Sequence, residues 1–161
     1  MVMTPTTRHR RAVTLIELTI VVLVIGILAA VTGPKLRSAM DSAQLRSAAN
    51  VVLADIERAR QYAMTQGAPQ SVAFDAANNT YTMAGMPDPD HPGQTFVVDL
   101  AASAFAASID SVAFGVSGTD TGVTFNALGR PNQGGWVYVS VSGNQQAILV
   151  SGVSGRAYLW P

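Results

Sequence analysis

The sequence predicts an α+β protein: a long N-terminal helix, apolar in its first half and amphipathic in its second, packed on an antiparallel β-sheet or sandwich head. Three observations carry this. From Val13 to Gly33 the chain holds one charge, Glu17, in a run otherwise made of Val, Ile, Leu, Ala, Thr and Gly. Leu45, Ala49, Val52, Ile56, Ala59 and Ala63 recur at spacings of 4, 3, 4, 3 and 4, one face of a helix. Beyond Gly67, short runs rich in β-branched and aromatic residues alternate with turns carrying Gly and Asn, the signature of short strands.

The apolar run has roughly the 20 residues a helix needs to cross a bilayer. Arg8, Arg10 and Arg11 precede it, and Lys35 and Arg37 follow. Glu17 is the odd member. A carboxylate inside a membrane span costs about 2.5–3.5 kcal/mol even on lenient scales, so its default reading is functional. A cut after Ala12 would give Val13 a free amino group with Glu17 four residues on, one helical turn away. The cation and the carboxylate would then neutralise each other, within a chain or between neighbours.

The sequence therefore divides into a leader at 1–12, a transmembrane helix at 13–34, an amphipathic helix at 35–66 and a β-rich head at 67–161. At Gly33-Pro34 a kink or a softened turn is expected, because proline removes a backbone donor and disfavours helix before it. Gly67-Ala68-Pro69 ends the helix, with Gly as terminator and Pro just beyond. A helix from about Thr14 to Gln66 would be roughly 80 Å long, more than one domain can bury.

In the head, Gln70–Phe74 and Thr80–Met83 flank a hairpin turn at 75–79. Residues 85–94, with Pro87, Pro89 and Pro92, read as a rigid irregular loop. Thr95–Leu100 is a strand, and 101–108 is open between short helix and loop. Ser111–Val116, Gly122–Phe125, Trp136–Val141, Gln146–Val150 and Arg156–Trp160 complete the set, an antiparallel sandwich or paired sheets.

Composition excludes several functions. There is no cysteine, hence no disulfide, thiolate metal site or cysteine nucleophile. The formal net charge is +0, but Arg8, Arg10 and Arg11 belong to the leader. Beyond Gln66 only Arg130 and Arg156 face six aspartates, so the head is acidic and lacks a broad footprint for nucleic acid. The leader arginines predict a cytoplasmic N-terminus and an external head.

The run Arg11-Ala12-Val13-Thr14-Leu15-Ile16-Glu17-Leu18 resembles the N-terminal signal of type IV pilins and type II secretion pseudopilins. Gly122–Arg130, Ile148–Val150 and Gly155–Leu159 are similar to the end of H-type minor pseudopilins and FimT-like minor pilins. The resemblance implies a pilin-like fold, cleavage between Ala12 and Val13 by a prepilin peptidase, methylation of Val13, and filament assembly guided by Glu17. Ala12 stands where Gly is usual and Val13 where Phe or Met is usual; both substitutions keep size or apolarity. Pro34 falls where pilins often carry a helix-weakening proline. The implied partners are other pilin or pseudopilin subunits, the peptidase, an inner-membrane assembly platform, lipid, and either exoprotein or DNA. Two plainer readings of the segment are a signal anchor and a secretory signal peptide cut near Leu28-Ala29-Ala30; the second leaves Glu17 unexplained.

The remaining constellations favour structural readings. His9 lies in the leader, so only His91 could serve a Ser–His–Asp set, and no nucleophile elbow accompanies it. Neither an enzyme nor a cofactor is expected. Asp88 and Asp90, with His91, are candidate oxygen ligands for Ca²⁺, without EF-hand spacing; a solvated turn is the plainer reading. Gly115, Gly118 and Gly122 read as turn glycines rather than a phosphate loop. Arg156 is the candidate DNA contact, though a phosphate site needs several cations. Trp136 and Tyr138 share one strand face, as do Tyr158 and Trp160; they are candidates for a sugar or peptide surface, with core or edge packing the commoner role.

Overall fold

The computed structural model describes residues 13–88 and 91–160, and of residues 31–34 the backbone alone. One helix, α1 (Leu15–Gln66), precedes eight strands: β1 (Gln70–Asp75), β2 (Thr80–Pro87), β3 (Thr95–Asp99), β4 (Ser108–Phe114), β5 (Gly122–Phe125), β6 (Gly135–Val141), β7 (Asn144–Val150) and β8 (Ala157–Trp160). The chain divides into two units, Met1–Ser38 and Ala39–Pro161.

In the first unit, α1 starts at a cap. The Thr14 side-chain oxygen accepts the Glu17 amide at 3.2 Å, and the Thr14 carbonyl accepts the Leu18 amide, the arrangement of an N-cap threonine. Residues 13–30 are exposed all round, and the most apolar window has a mean hydropathy of 2.7. A helix apolar on every side and uncovered by its own chain has the character of a membrane span. The Thr19 hydroxyl donates to the Ile16 carbonyl at 2.8 Å, which satisfies it without water. The helix continues across Gly33 and Pro34.

In the second unit, the rest of α1 packs on two antiparallel four-stranded sheets, ordered β3-β2-β1-β5 and β4-β6-β7-β8. All six residues of the stripe from Leu45 to Ala63 are buried. Val72, Tyr81 and Phe125 from the first sheet and Val137, Val139 and Ile148 from the second close over them in one core. The helix ends as its sequence predicts. Gly67 adopts φ 63° and the Ala68 amide bonds the Ala63 carbonyl at 3.3 Å, the six-to-one bond of a Schellman cap.

Two expectations change and one open choice closes. The loop expected to start at residue 85 starts later, because β2 continues to Pro87. A register shift between Met83 and Pro87 lets it bend while Met86 stays buried, as a bulge allows. Next, β4 begins at Ser108 rather than Ser111, with its own shift between Ile109 and Ser111. Residues 100–105 form turns rather than a helix; the Asp99 carboxylate accepts the amides of Ala101 and Ala102 at 2.8 and 2.9 Å, competing with helical bonding.

Polar pins fix the helix to each sheet. Toward the first, the buried Tyr81 hydroxyl donates to the Asp55 carboxylate at 2.5 Å, and the Arg58 guanidinium lies 5.4 Å from the Phe96 ring centroid. Toward the second, Glu57 Oε1 accepts the Ala157 amide at 2.8 Å, while its other oxygen holds Arg60 Nε at 3.0 Å.

Burial raises the Asp55 carboxyl above its ordinary range, opposed by the Tyr81 hydrogen bond and by Arg58. A raised acid favours the folded state below its unfolded pKa and loses that contribution as pH rises through the folded value. Removing the Tyr81 hydroxyl withdraws a bond worth more to the charged carboxylate than to the neutral one. Tyr81→Phe is therefore expected to cost about 1.5–3 kcal/mol near pH 7 and less at about pH 4. Urea unfolding of residues 39–161 at the two pH values measures this; an equal loss at both contradicts the assignment.

Candidate assembly segment and head surface

Ala12 lies outside the described residues, as does Asp90. Val13 and Thr14 precede the helix and Glu17 sits in its first turn, as the third residue after the cap. There the helix dipole favours a carboxylate. Thr14-x-x-Glu17 is also the sequence pattern of a capping box, a signal for the helix start that the apolar run overshadowed. Gly33 and Pro34 lie within α1, with only their backbone described.

The C-terminal motif is built around the far end of the same helix. The Asn126 side-chain oxygen accepts the amides of Leu128 and Arg130 at 2.9 and 3.0 Å, winding a tight turn. The Gly155 amide closes another on the Ser151 carbonyl at 2.8 Å. These turns touch: a Cβ on Gly155, whose φ is +70°, would lie 2.5 Å from the Gly129 carbonyl oxygen and 3.3 Å from Arg60. A Cβ on Gly129 would meet Met64 at 2.6 Å. Close approach as well as φ therefore demands glycine at 155.

The consequence concerns charge. Arg130 and Arg156 follow these two glycines and are both exposed, so two turns in contact each carry an arginine. Sequence reasoning found Arg156 without a second cation beside it. The companion comes from a turn some 25 residues earlier in the chain, a pairing visible only once the strands are placed. Glu57 was equally hidden, since its partner amide is 100 positions away.

His91 Nδ1 lies 3.1 Å from the Asp88 carboxylate, which ties the proline-rich loop to itself. Among the described residues no group of three or more His, Asp or Glu gathers as a metal site. Trp136, Tyr138, Tyr158 and Trp160 do not enter the core, whose rings are Phe74, Tyr81, Phe96, Phe114 and Phe125. The alternation that buries Val137 and Val139 turns Trp136 and Tyr138 outward.

Comparison with known proteins bears on the whole chain. No curated protein matches it. Among solved structures it is similar to the type IV minor pilin FimU of Pseudomonas aeruginosa, at 18% identity and a TM-score of 0.55, covering 74% of this chain and 90% of that one. It is also similar to the minor pseudopilin EpsH from the Type 2 Secretion System of Vibrio cholerae, at 12% identity and a TM-score of 0.53, covering 73% and 96%. These likenesses show a shared fold. The prokaryotic N-terminal methylation motif matches residues 7–33, and the profile of the type II transport protein GspH matches residues 48–155. With two thirds of its length under that profile and a membrane-anchoring motif before it, the chain belongs to the GspH family, as a structural minor pseudopilin.

Proposed function

We propose that the protein works by assembly. It is cut between Ala12 and Val13 by a prepilin peptidase and methylated on Val13. Residues 13–34 then hold it in the inner membrane, N-terminus cytoplasmic and head periplasmic, until an assembly platform extracts it into a short pseudopilus of a type II secretion machine. The observation that carries this reading is a helix exposed and apolar on every side with one acid, Glu17, in its first turn. In that apolar setting the acid is unfavourable alone and favourable beside a cation.

The cleaved amino group of a neighbouring subunit is that cation. It would sit just before the helix cap, where the helix's own dipole is positive, so it too gains from an acidic partner. Gly33 and Pro34 serve as the pliant position, since Pro34 withholds an amide from the helical ladder and lets packed helices adjust to one bundle. The head then faces neighbouring subunits or exoprotein.

Intact mass of membrane-extracted protein, with and without the peptidase, tests the first step. The expected product lacks residues 1–12 and carries a methyl on Val13; an uncut chain in both samples reduces the segment to an anchor. Glu17→Ala is expected to reduce recovery in sheared filaments by about tenfold or more, the effect of losing roughly 1.4 kcal/mol, while the head folds normally. Normal incorporation would contradict the proposed role.

The touching arginine turns favour a second reading, a FimT-like minor pilin that takes up DNA. Two cations on an acidic head make few phosphate contacts. Residues 39–161 are thus expected to leave duplex DNA unshifted in a micromolar gel assay. Salt-sensitive binding lost in Arg130→Ala and Arg156→Ala would reverse the preference.

A further inference from the structure

The outer face of the β4-β6-β7-β8 sheet gathers aromatic rings. Strand register sets Trp136 opposite Leu149 and Leu149 opposite Tyr158; in the adjoining row Tyr138 faces Ala147 and Ala147 faces Trp160. The Trp136 and Tyr138 rings lie 6.3 Å apart at 23°. Trp136 meets Trp160 edge-on at 5.6 Å. Tyr158 and Trp160 remain 47% and 53% exposed, although an indole and a phenol have much to gain from cover.

The next row of this face is polar. Ser140 stands opposite Gln145, and the Asp110 carboxylate accepts the Ser140 hydroxyl at 2.5 Å and the Gln145 amide at 2.9 Å. An aromatic platform therefore runs into a hydroxyl, an amide and a carboxylate already held in place by one another.

Charge and shape choose the occupant. These rows contain no Lys or Arg and one carboxylate, so a phosphate-bearing chain is repelled; Arg156 lies beyond the end of β8 opposite Trp160. Ala147, between Tyr138 and Trp160, leaves this stretch of the platform shallow, and the hollow beside it, lined by Ala113, Trp136 and Leu149, is open to solvent. A sugar ring matches both parts: its C–H face lies on aromatic carbon and its equatorial hydroxyls reach amide and carboxylate. We propose that this face binds an uncharged glycan chain, with Trp136, Tyr138 and Trp160 stacking on sugar rings and Asp110 and Gln145, backed by the buried Ser140, bonding their hydroxyls.

Trp136 and Trp160 are the chain's two tryptophans, so intrinsic emission reports this face alone. Among the described residues every buried hydrophobic lies between Leu45 and Ala157, so residues 39–161 hold that core and suit the test. Titration with chitohexaose or cellohexaose is expected to shift the emission saturably. Trp160→Ala and Tyr138→Ala should each weaken binding by about tenfold or more, as loss of one stacking surface implies. Trp160→Ala should still unfold in a single cooperative transition, since that ring is outside the core. No emission change with either sugar at millimolar concentration, or equal binding by Trp160→Ala, overturns the proposal. Concentration-dependent association of the head, abolished by Trp160→Ala, would overturn it in favour of a second copy.

Discussion

The head depends on how closely one helix can approach two sheets. Ala48, Ala49, Ala59 and Ala63 are completely buried, and side chains of one carbon let the helix backbone sit near both inner faces. Larger residues would fill the stripe more but wedge the layers apart, and overpacking costs about 1–3 kcal/mol per site. Small residues alone leave the rotation of a helix poorly defined. The polar pins supply the definition: Asp55 and Arg58 reach the first sheet, and Glu57 reaches the second. A turn of one residue about the helix axis would break all of them and expose the stripe.

That placement propagates to the end of the chain. Glu57 accepts the amide of Ala157, the first residue of β8, and Arg60, held by the same carboxylate, lies against the Gly155 turn. The strand that carries Tyr158 and Trp160 is thus aimed by the helix, and so are the turns that carry Arg130 and Arg156. The start of β8 and the two arginine turns share one anchor, the Glu57 carboxylate, and the glycines that let backbone pass close to the helix.

Much of this was legible in the sequence because period and punctuation act locally. The stripe from Leu45 to Ala63, the Gly67 cap and the alternation of Val137, Val139 and Val141 depend on neighbours within a few residues, and all are found. The extension of β2 past Gly85 was not, since a bulge trades local pairing for the burial of Met86, which only the core determines. Asp55, Glu57 and Arg58 lie off the apolar stripe of the helix, and their partners Tyr81, Ala157 and Phe96 come from strands far along the chain. Aromatics in strands usually pack a core or cover an edge. The parity that buries Val137 forces Trp136 outward, and parity was in the sequence to be read.

Two solvents act on one helix. The half after Ala39 obeys water, with a single buried stripe, whereas residues 13–30 are exposed all round, and apolar side chains so placed find their satisfaction in lipid or in packed copies of themselves. Glu17 is where the two demands collide. Its position in the first turn gains from the dipole about 0.3–1 kcal/mol, less than the about 2.5–3.5 kcal/mol a carboxylate costs at mid-membrane, so the deficit is largest where the turn lies deep and shrinks toward the interface. Under the proposed mechanism the lone subunit in the membrane is therefore the incompletely satisfied state. A neighbour that offers an amino terminus removes the deficit, and a direction toward the filament follows from the placement of one acid.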